Sequence, residues 1–268
     1  ASSPATGATV SSAQPASESA ARADNSSARD VMRVPDITPP AVVVGGCRCD
    51  VAPLISGGGI APPIPLPRRR IGGTRVTFHE PLRIGDDITR VTEIADIQID
   101  DGPSGAMATV IERNSISNGS GLAVVEERDL VMLSEARAEA AAPTSPAVPT
   151  QATWRQVIEP NPPLLFRFSA IRFNSHRIHY DRDYVTKVEH LPGLVVQSSL
   201  ISQLLIEMCR RELPTRQLTS FGFKSVRQIY DTGKFTIAGA PATDGREAAL
   251  WALDADGKLA MTATAKFA

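Results

Sequence analysis

The amino-acid sequence predicts an α+β protein in which antiparallel strands outnumber helices. Segments of strand composition, separated by turns rich in Gly, Asp, Asn and Ser, fill most of residues 73–133 and 217–268. One long segment, residues 198–213, carries apolar residues at helical spacing over a broad face. Because so wide an apolar face must be covered, we expect the strands that follow this helix to curve around it.

Residues 1–57 differ in composition from the rest of the chain. Ala and Ser dominate the first 45 residues, and the first aromatic residue is Phe78. Such a segment buries too little apolar surface to offset its ordering entropy, so we expect it to be poorly ordered, with at most a transient helix over residues 16–31. The Gly- and Pro-rich residues 53–67 are typical of extended or polyproline-like chain.

Residues 58–133 are predicted to form the first structured unit. From about Gly73 they have the composition of roughly four antiparallel strands, with turns at "IGDD", "DGPSG" and "SNGSG" and no long helix. The basic run just before them, Arg68, Arg69 and Arg70, is typical of a solvated turn. The Ala/Pro/Thr-rich residues 134–153 indicate a linker.

Residues 154–268 are predicted to form the second unit. The segment "LLFRFSAIRFN" is expected to be a strand or a short lead-in. In the helix that follows, Ser198 or Ser199 is the expected N-cap, and Pro214 stops the helix. About four strands complete the unit. The apolar face of the helix consists of Leu200, Ile201, Leu204, Leu205 and Met208.

Charge and cysteine content limit the possible functions. A net charge of −1 argues against nucleic-acid and membrane-surface binding, and no apolar run is long enough to span a bilayer. Cys47 and Cys49 are spaced for neither a disulfide nor a zinc site, and Cys209 is expected to be a small core residue. We therefore expect an intracellular, cytoplasmic protein, or a mitochondrial one if the source is a eukaryote.

The segment "FNSHRIHYD", residues 173–181, holds two of the four histidines. His179 could be a general base, since imidazole titrates near ~6.5, or a histidine hydrogen-bonded in a loop. His176, His179 and Asp181 could also be metal ligands, although His-x-x-His alone is a weak zinc signal. Asn174 could orient a water or hydroxyl without taking a proton, or simply end a strand.

Ser198 stands at the predicted helix start. The backbone N–H groups there, at the positive end of the helix dipole, can stabilise an oxyanion, although capping alone would also explain the serine. No Gly-x-Ser-x-Gly elbow supports a serine nucleophile. Dinucleotide-binding and Walker loops are absent from the sequence as well.

The motif "RFSAIRFNSHRIHYD", followed by "PGLVV", resembles the MaoC-like hydratases and dehydratases of the hot-dog superfamily. More specifically, the motif resembles one branch of this family, which contains mesaconyl-C4-CoA hydratase, itaconyl-CoA hydratase and type 2 3-hydroxyacyl-thioester dehydratase. It implies a double hot-dog, with two antiparallel sheets each curled around a helix. Self-association is plausible for such a fold.

The resemblance also implies a site. His179 and Asn174 would flank the reacting water, and the N–H of Ser198 would hold the thioester oxygen. Three features depart from the family pattern. Asn174 stands where broader MaoC members carry Asp, and Gln197-Ser198-Ser199 replaces His-Gly-Pro. The segment before Pro62, where the family has an aromatic-rich stretch and the first central helix, is free of aromatic residues, so the first hot-dog is expected to be incomplete. No metal or cofactor is implied. The implied substrate-binding residues are His176, Tyr180, Gln197 and Ser199, with Arg68, Arg69 and Arg70 as candidates for the phosphates.

The function implied is reversible hydration of an enoyl thioester, on CoA or a carrier protein, such as mesaconyl-, itaconyl- or another 2-enoyl-CoA. A non-catalytic hot-dog protein that binds acyl thioesters or a partner subunit is the alternative. A thioesterase would need a carboxylate near the helix start, and Glu207 lies too far along the helix.

Overall fold

The structure is a computed structural model, and it describes residues 28–33, 62, 64–66, 68–102, 105–134, 147–149 and 151–268. The predictions for Cys47, Cys49 and most of residues 1–57 therefore lie outside the described residues. The same holds for most of the predicted linker, and Trp154 opens the first strand after it.

The described residues form one antiparallel sheet of ten strands and three α-helices, which confirms the α+β prediction. The strand order in the sheet is β1-β3-β4-β5-β2-β7-β10-β9-β8-β6. The helices are α1 (Pro162–Ile171), α2 (Arg182–Lys187) and α3 (Ser198–Glu212), with a 3-10 turn at Arg177–His179 between α1 and α2. The strands are β1 (Ala28–Arg33), β2 (Arg68–Phe78), β3 (Asp87–Gly102), β4 (Gly105–Asn118), β5 (Gly121–Leu133), β6 (Trp154–Ile158), β7 (Leu218–Ser225), β8 (Phe235–Pro241), β9 (Glu247–Leu253) and β10 (Leu259–Phe267).

Strands β2 and β7 join the two halves of the chain. Val76 pairs with Phe221 across this junction, and Gly73 pairs with Lys224. A Cβ atom on Gly73 would lie 2.7 Å from the carbonyl oxygen of Phe223, so only glycine permits this close approach. The two sheets implied by the resemblance are therefore continuous with each other.

Helix α3 forms the core of the second half, as the apolar spacing predicts. Its buried residues, among them Leu205 and Met208, pack against the strands β7–β10. Cys209 is 2 % exposed and belongs to this core, as expected. The predicted serine N-cap is wrong: Gln197 occupies that position and makes no capping bond with its side chain.

The first half has strands but no helix among its described residues. Strands β2–β5 confirm the prediction of four strands, although β2 begins at Arg68 rather than Gly73. The basic run is thus in a strand and not in a turn, because Arg68–Arg70 pair with Val131–Leu133. Residues 28–33 pair with β3, so the expectation of a disordered or helical segment is wrong there.

A buried polar cluster occupies the middle of this half-sheet. Asn114 accepts a hydrogen bond from the hydroxyl of Thr92 (2.7 Å) and donates to Glu112 (3.1 Å) and Glu126 (3.3 Å). Arg128 pairs with Glu112. Because the amide and the guanidinium supply donors to the buried carboxylates, the cluster avoids isolated charge in the sheet.

The segment expected to be a strand or lead-in is helix α1. Asn161 caps it, since its Oδ1 accepts a hydrogen bond from the backbone N–H of Leu164 (2.9 Å). Pro162 and Pro163 fill the first two helical positions, where the missing N–H costs nothing. The Phe and Ile content of the segment favours a strand, and the Asn-Pro-Pro start overrides that preference.

Candidate active site

The imidazole of His179 is buried and held by one backbone carbonyl. The residue is 8 % exposed, and its Nδ1 lies 2.7 Å from the carbonyl oxygen of Val195. Because a carbonyl oxygen only accepts, Nδ1 carries the hydrogen and Nε2 keeps its lone pair. The contact therefore selects the tautomer that can take a proton at Nε2.

Burial lowers the pKa of His179 to about 4, and this effect outweighs the opposing hydrogen bond to Val195. His176 lowers the pKa a little further. Its own ring meets that of His179 edge-on, with 5.6 Å between the ring centroids. At neutral pH, His179 is therefore a neutral base.

Asp181 does not join the two histidines as a ligand. Its carboxylate accepts hydrogen bonds from the backbone N–H of Tyr184 (2.9 Å) and from Arg177 (2.8 Å), and these two contacts lower its pKa. It thus caps α2. No cluster of three or more His, Cys, Asp or Glu suited to a metal occurs within the described ranges.

Asn174 lies just after the C-terminus of α1. Its backbone N–H donates to the carbonyl of Ser169 (2.9 Å), and its Oδ1 accepts from the N–H of His176 (3.1 Å). In the described part of the chain, no hydrogen-bond partner is found for its Nδ2. The amide is thus oriented at its oxygen, which leaves two N–H donors for another group.

The loop before α3 is clamped by residues 229–231. Val196 donates to the carbonyl of Ile229 (2.8 Å), and the N–H of Leu194 donates to the carboxylate of Asp231 (2.8 Å). A Cβ atom on Gly193 would lie 2.7 Å from that carboxylate, so the loop requires glycine there. These contacts fix the Val195 carbonyl that orients His179.

Ser198 is the first residue of α3, so its backbone N–H has no partner within the helix. It lies three positions after Val195, and three residue steps span at most about 10 Å of extended chain. The partial positive charge of the helix start therefore lies close to the loop that holds the imidazole. Ser198 and Ser199 are both half-buried.

Gln197 links α3 to α1. Its side chain is 3 % exposed, and its Nε2 donates to the carbonyl of Leu165 and to the hydroxyl of Ser169, both at 2.9 Å. Its Oε1 is buried without a hydrogen-bond partner in the described structure. The amide proposed from sequence to bind substrate is thus turned toward α1.

A surface groove of about 330 Å³ opens beside Asn174. Of the predicted site residues, Asn174 and Tyr180 line it. The predicted site residues that do not line it include His176, His179, Gln197, Ser198 and Ser199. The groove is lined by Phe166, Ser169, Ala170, Phe173, Asn174, Ser175 and Tyr180. We call it the aromatic groove.

The prediction that the basic run binds the phosphates stays a prediction, and neighbouring residues of the run lie on opposite faces of β2. Arg69 and Arg70 are both exposed at the start of β2. Successive side chains on a strand point to opposite faces of the sheet. The two guanidinium groups therefore cannot face the same phosphate from this strand.

Sequence reasoning missed three contributors to this site. Val195 acts through its carbonyl, which has no signature in the side chain. Ser169 lies four residues after Leu165 on the buried face of α1, and a small polar residue on an apolar face is a signal that could have found it. Phe173 is the third contributor, and its φ angle of 50° lies in the left-handed region of the backbone.

The stability of the fold should depend on the protonation of His179. Its pKa falls from ~6.5 in the unfolded chain to about 4 in the fold, so the unfolded chain binds more protons between these values. The free energy of unfolding should therefore fall as the pH is lowered through this window, by up to about 1.4 kcal/mol per pH unit.

Urea unfolding of the wild type and of His179→Asn between pH 7 and pH 4 measures how the free energy of unfolding changes with pH. We expect a smaller change per pH unit in the variant, because it lacks the imidazole while its carboxylates titrate as in the wild type. Equal slopes would mean that folding does not lower the pKa of His179.

Among the described helices, none combines the length and the apolar character that crossing a membrane requires. Residues 55–231 match the model of the family described as hydroxyacyl-thioester dehydratase type 2. The chain is 41 % identical over 209 residues to the mesaconyl-C(4)-CoA hydratase of Chloroflexus aurantiacus, covering 77 % of this chain and 73 % of that protein. It is 34 % identical over 119 residues to the mitochondrial hydroxyacyl-thioester dehydratase type 2 of Schizosaccharomyces pombe, which covers 42 % of this chain and 38 % of that protein.

The fold is similar to that of a MaoC-like dehydratase from Phytophthora capsici. The TM-score is 0.56 at 12 % identity, over 75 % of this chain and 72 % of that one. This likeness confirms the hot-dog architecture expected from the sequence. The match over residues 55–231 shows that the chain belongs to the hydroxyacyl-thioester dehydratase type 2 family.

Proposed function

We propose that the protein is a hydro-lyase that adds water reversibly to the double bond of a 2-enoyl-CoA. Mesaconyl-CoA, itaconyl-CoA and other 2-enoyl-CoAs are the candidate substrates. The observation that carries the proposal is the buried, neutral imidazole of His179, whose tautomer leaves Nε2 free to take a proton. The membership of the chain in the dehydratase family supports it.

In the direction of dehydration, Nε2 of His179 takes the proton from the carbon next to the thioester carbonyl. The electron pair of that C–H bond moves toward the carbonyl, whose oxygen gains charge. The backbone N–H of Ser198, at the start of α3, donates a hydrogen bond to this oxygen. The positive end of the helix dipole adds to the stabilisation.

The second half of the reaction returns the proton. The C–O bond to the 3-hydroxyl breaks as the double bond forms, and the imidazolium of His179 passes its proton to the leaving oxygen, so that water departs. An N–H of Asn174 donates to this hydroxyl and orients it. A carboxamide cannot itself take a proton, so a single imidazole carries the proton in both steps.

CoA thioesters are the proposed substrates rather than carrier-bound ones, in keeping with the name of the Chloroflexus relative. We also propose an intracellular site of action, either the cytoplasm or the mitochondrion of a eukaryote. The mitochondrial name of the Schizosaccharomyces relative supports the second option.

A panel of enoyl-CoAs tests the proposal. Crotonyl-CoA, mesaconyl-CoA and itaconyl-CoA are incubated with the protein, and the loss of the conjugated thioester absorbance is followed. Hydration of at least one of them is expected. Saturable thioester binding with no hydration of any would favour the alternative of a non-catalytic binding protein.

A further inference from the structure

Phe173 adopts a backbone conformation that a phenylalanine rarely takes. Helix α1 ends in a Schellman motif, in which Phe173 N–H donates to the carbonyl of Ala170 (3.1 Å) and Asn174 N–H donates to that of Ser169 (2.9 Å). The φ angle of Phe173 is 50°, at the position where glycine is usual. Its Cβ atom therefore lies close to its own carbonyl oxygen, which destabilises this conformation.

Burial of the side chain does not compensate for this conformation. Phe173 is 86 % exposed, so its ring adds little to the core. Neither backbone preference nor packing accounts for a phenylalanine at this position. Strained residues of this kind cluster at active sites and ligand clamps.

The surroundings of Phe173 indicate what its ring contacts. It lines the aromatic groove together with Phe166, which is 59 % exposed, and Tyr180. The hydroxyl of Tyr180 donates to the carbonyl of Ser175 (2.7 Å), which fixes that ring at the groove. Asn174 supplies a polar group in the same groove.

None of the seven residues that line the groove carries a charge. The lining residues themselves offer no cation to a second carboxylate on the acyl group, and placing that carboxylate against the rings would cost desolvation energy. An apolar chain would instead remove these exposed rings from water. The groove is also continuous with the amide that we assign to the reacting hydroxyl.

We infer that Phe173 determines specificity by holding an apolar acyl chain of the thioester in the aromatic groove, with the reacting carbons toward Asn174. This rests on the proposed function and names its substrate class: 2-enoyl thioesters with an unbranched apolar chain, in preference to dicarboxylic acyl groups. The Schellman motif serves this role because it places the ring of residue 173 and the amide of residue 174 on the same groove.

The matched variants are Phe173→Gly and His190→Gly. His190 is the other non-glycine residue with positive φ among those described (54°), and it is exposed and does not line the groove. Both substitutions relieve backbone strain and should raise the melting temperature by about 2–4 °C. Only Phe173→Gly should change the kinetics. Phe173→Leu keeps the strain and an apolar side chain, and its melting temperature should stay near that of the wild type.

The kinetics are measured with trans-2-hexenoyl-CoA, crotonyl-CoA and mesaconyl-CoA. The wild type should have a higher kcat/KM for hexenoyl-CoA than for mesaconyl-CoA. Phe173→Gly should lower kcat/KM for hexenoyl-CoA about tenfold, mainly through KM, and should affect crotonyl-CoA less. His190→Gly should leave all three values unchanged.

Two results would overturn the inference alone, and they are distinguishable from failure of the proposed function. If the wild type hydrates enoyl-CoAs but Phe173→Gly keeps the hexenoyl-to-crotonyl ratio, the ring does not contact the acyl chain. Preference of the wild type for mesaconyl-CoA would show that the acyl group lies outside the aromatic groove. Hydration of none of the three substrates would overturn both proposals.

Discussion

Replacement of His179 by asparagine is expected to lower kcat/KM for enoyl-CoA hydration by about 10²–10⁴-fold. The amide of asparagine can place an N–H near the position of Nδ1 and donate to the Val195 carbonyl, which Nδ1 contacts at 2.7 Å in the wild type. It has no atom at the position of Nε2. The variant thus keeps the tether to the loop and loses the proton acceptor.

A thermal melt of the same variant separates chemistry from folding. A melting temperature at neutral pH within a few degrees of the wild type would assign the loss to the missing base. If His179→Asn instead retained activity within a factor of ten, proton transfer would have to be carried by another group. His176 is the neighbouring candidate, so His176→Asn is measured alongside it.

The pH profile of the wild type gives a second check on the same group. Since burial holds the pKa of His179 at about 4, the base stays unprotonated through the range in which an ordinary histidine would become charged. The acidic limb of kcat/KM should therefore lie near pH 4 rather than near pH 6.5. A limb near the ordinary value would contradict the buried, neutral imidazole.

The second large effect is expected from Ser198→Pro, which deletes one backbone N–H at the start of α3. Proline is tolerated at the first helical position, and the residue before it must be extended. Gln197 meets this condition, with φ −62° and ψ 130°. The fold should therefore survive, while kcat falls about 10²–10³-fold because the oxyanion loses its donor.

Ser198→Ala is the matched control, because it removes the hydroxyl and keeps the N–H. Near-normal kcat is expected from it. An equal loss in both variants would transfer the role to the hydroxyl, and full activity in Ser198→Pro would remove the helix start from the mechanism. Circular dichroism and a thermal melt on both variants establish that α3 is intact.

The second half of the fold was predictable because its signals are local. The apolar spacing in residues 198–213 and the strand composition after it correspond to α3 and β7–β10. Helix α1 was missed, since phenylalanine and isoleucine favour strands and the informative signal was confined to Asn161-Pro162-Pro163. In the first half, β1 was missed because it lies in an Ala- and Ser-rich segment, and its pairing with β3 joins residues that are distant in the sequence.

The residues proposed for the candidate site come from the sequence, whereas their contacts required the structure. The spacing of His179 and Asn174 is visible in the sequence, whereas the partner of the imidazole is a main-chain carbonyl sixteen residues away. The turn of Gln197 toward α1 depends on where Leu165 and Ser169 lie, which requires the tertiary structure. The strain at Phe173 is likewise a property of φ and is not encoded in a motif.

The continuity of the sheet across β2 and β7 has a consequence for any truncated form of the enzyme. A fragment that begins at residue 151 would keep α3 and the candidate catalytic residues but would lose β2, the neighbour of Ser220–Lys224. The N–H and C=O groups of β7 on that side would then lack hydrogen-bond partners, next to the aromatic side chains of Phe221 and Phe223. Such an unprotected edge is a template for aggregation, so removing the half without catalytic residues should compromise solubility before it affects chemistry.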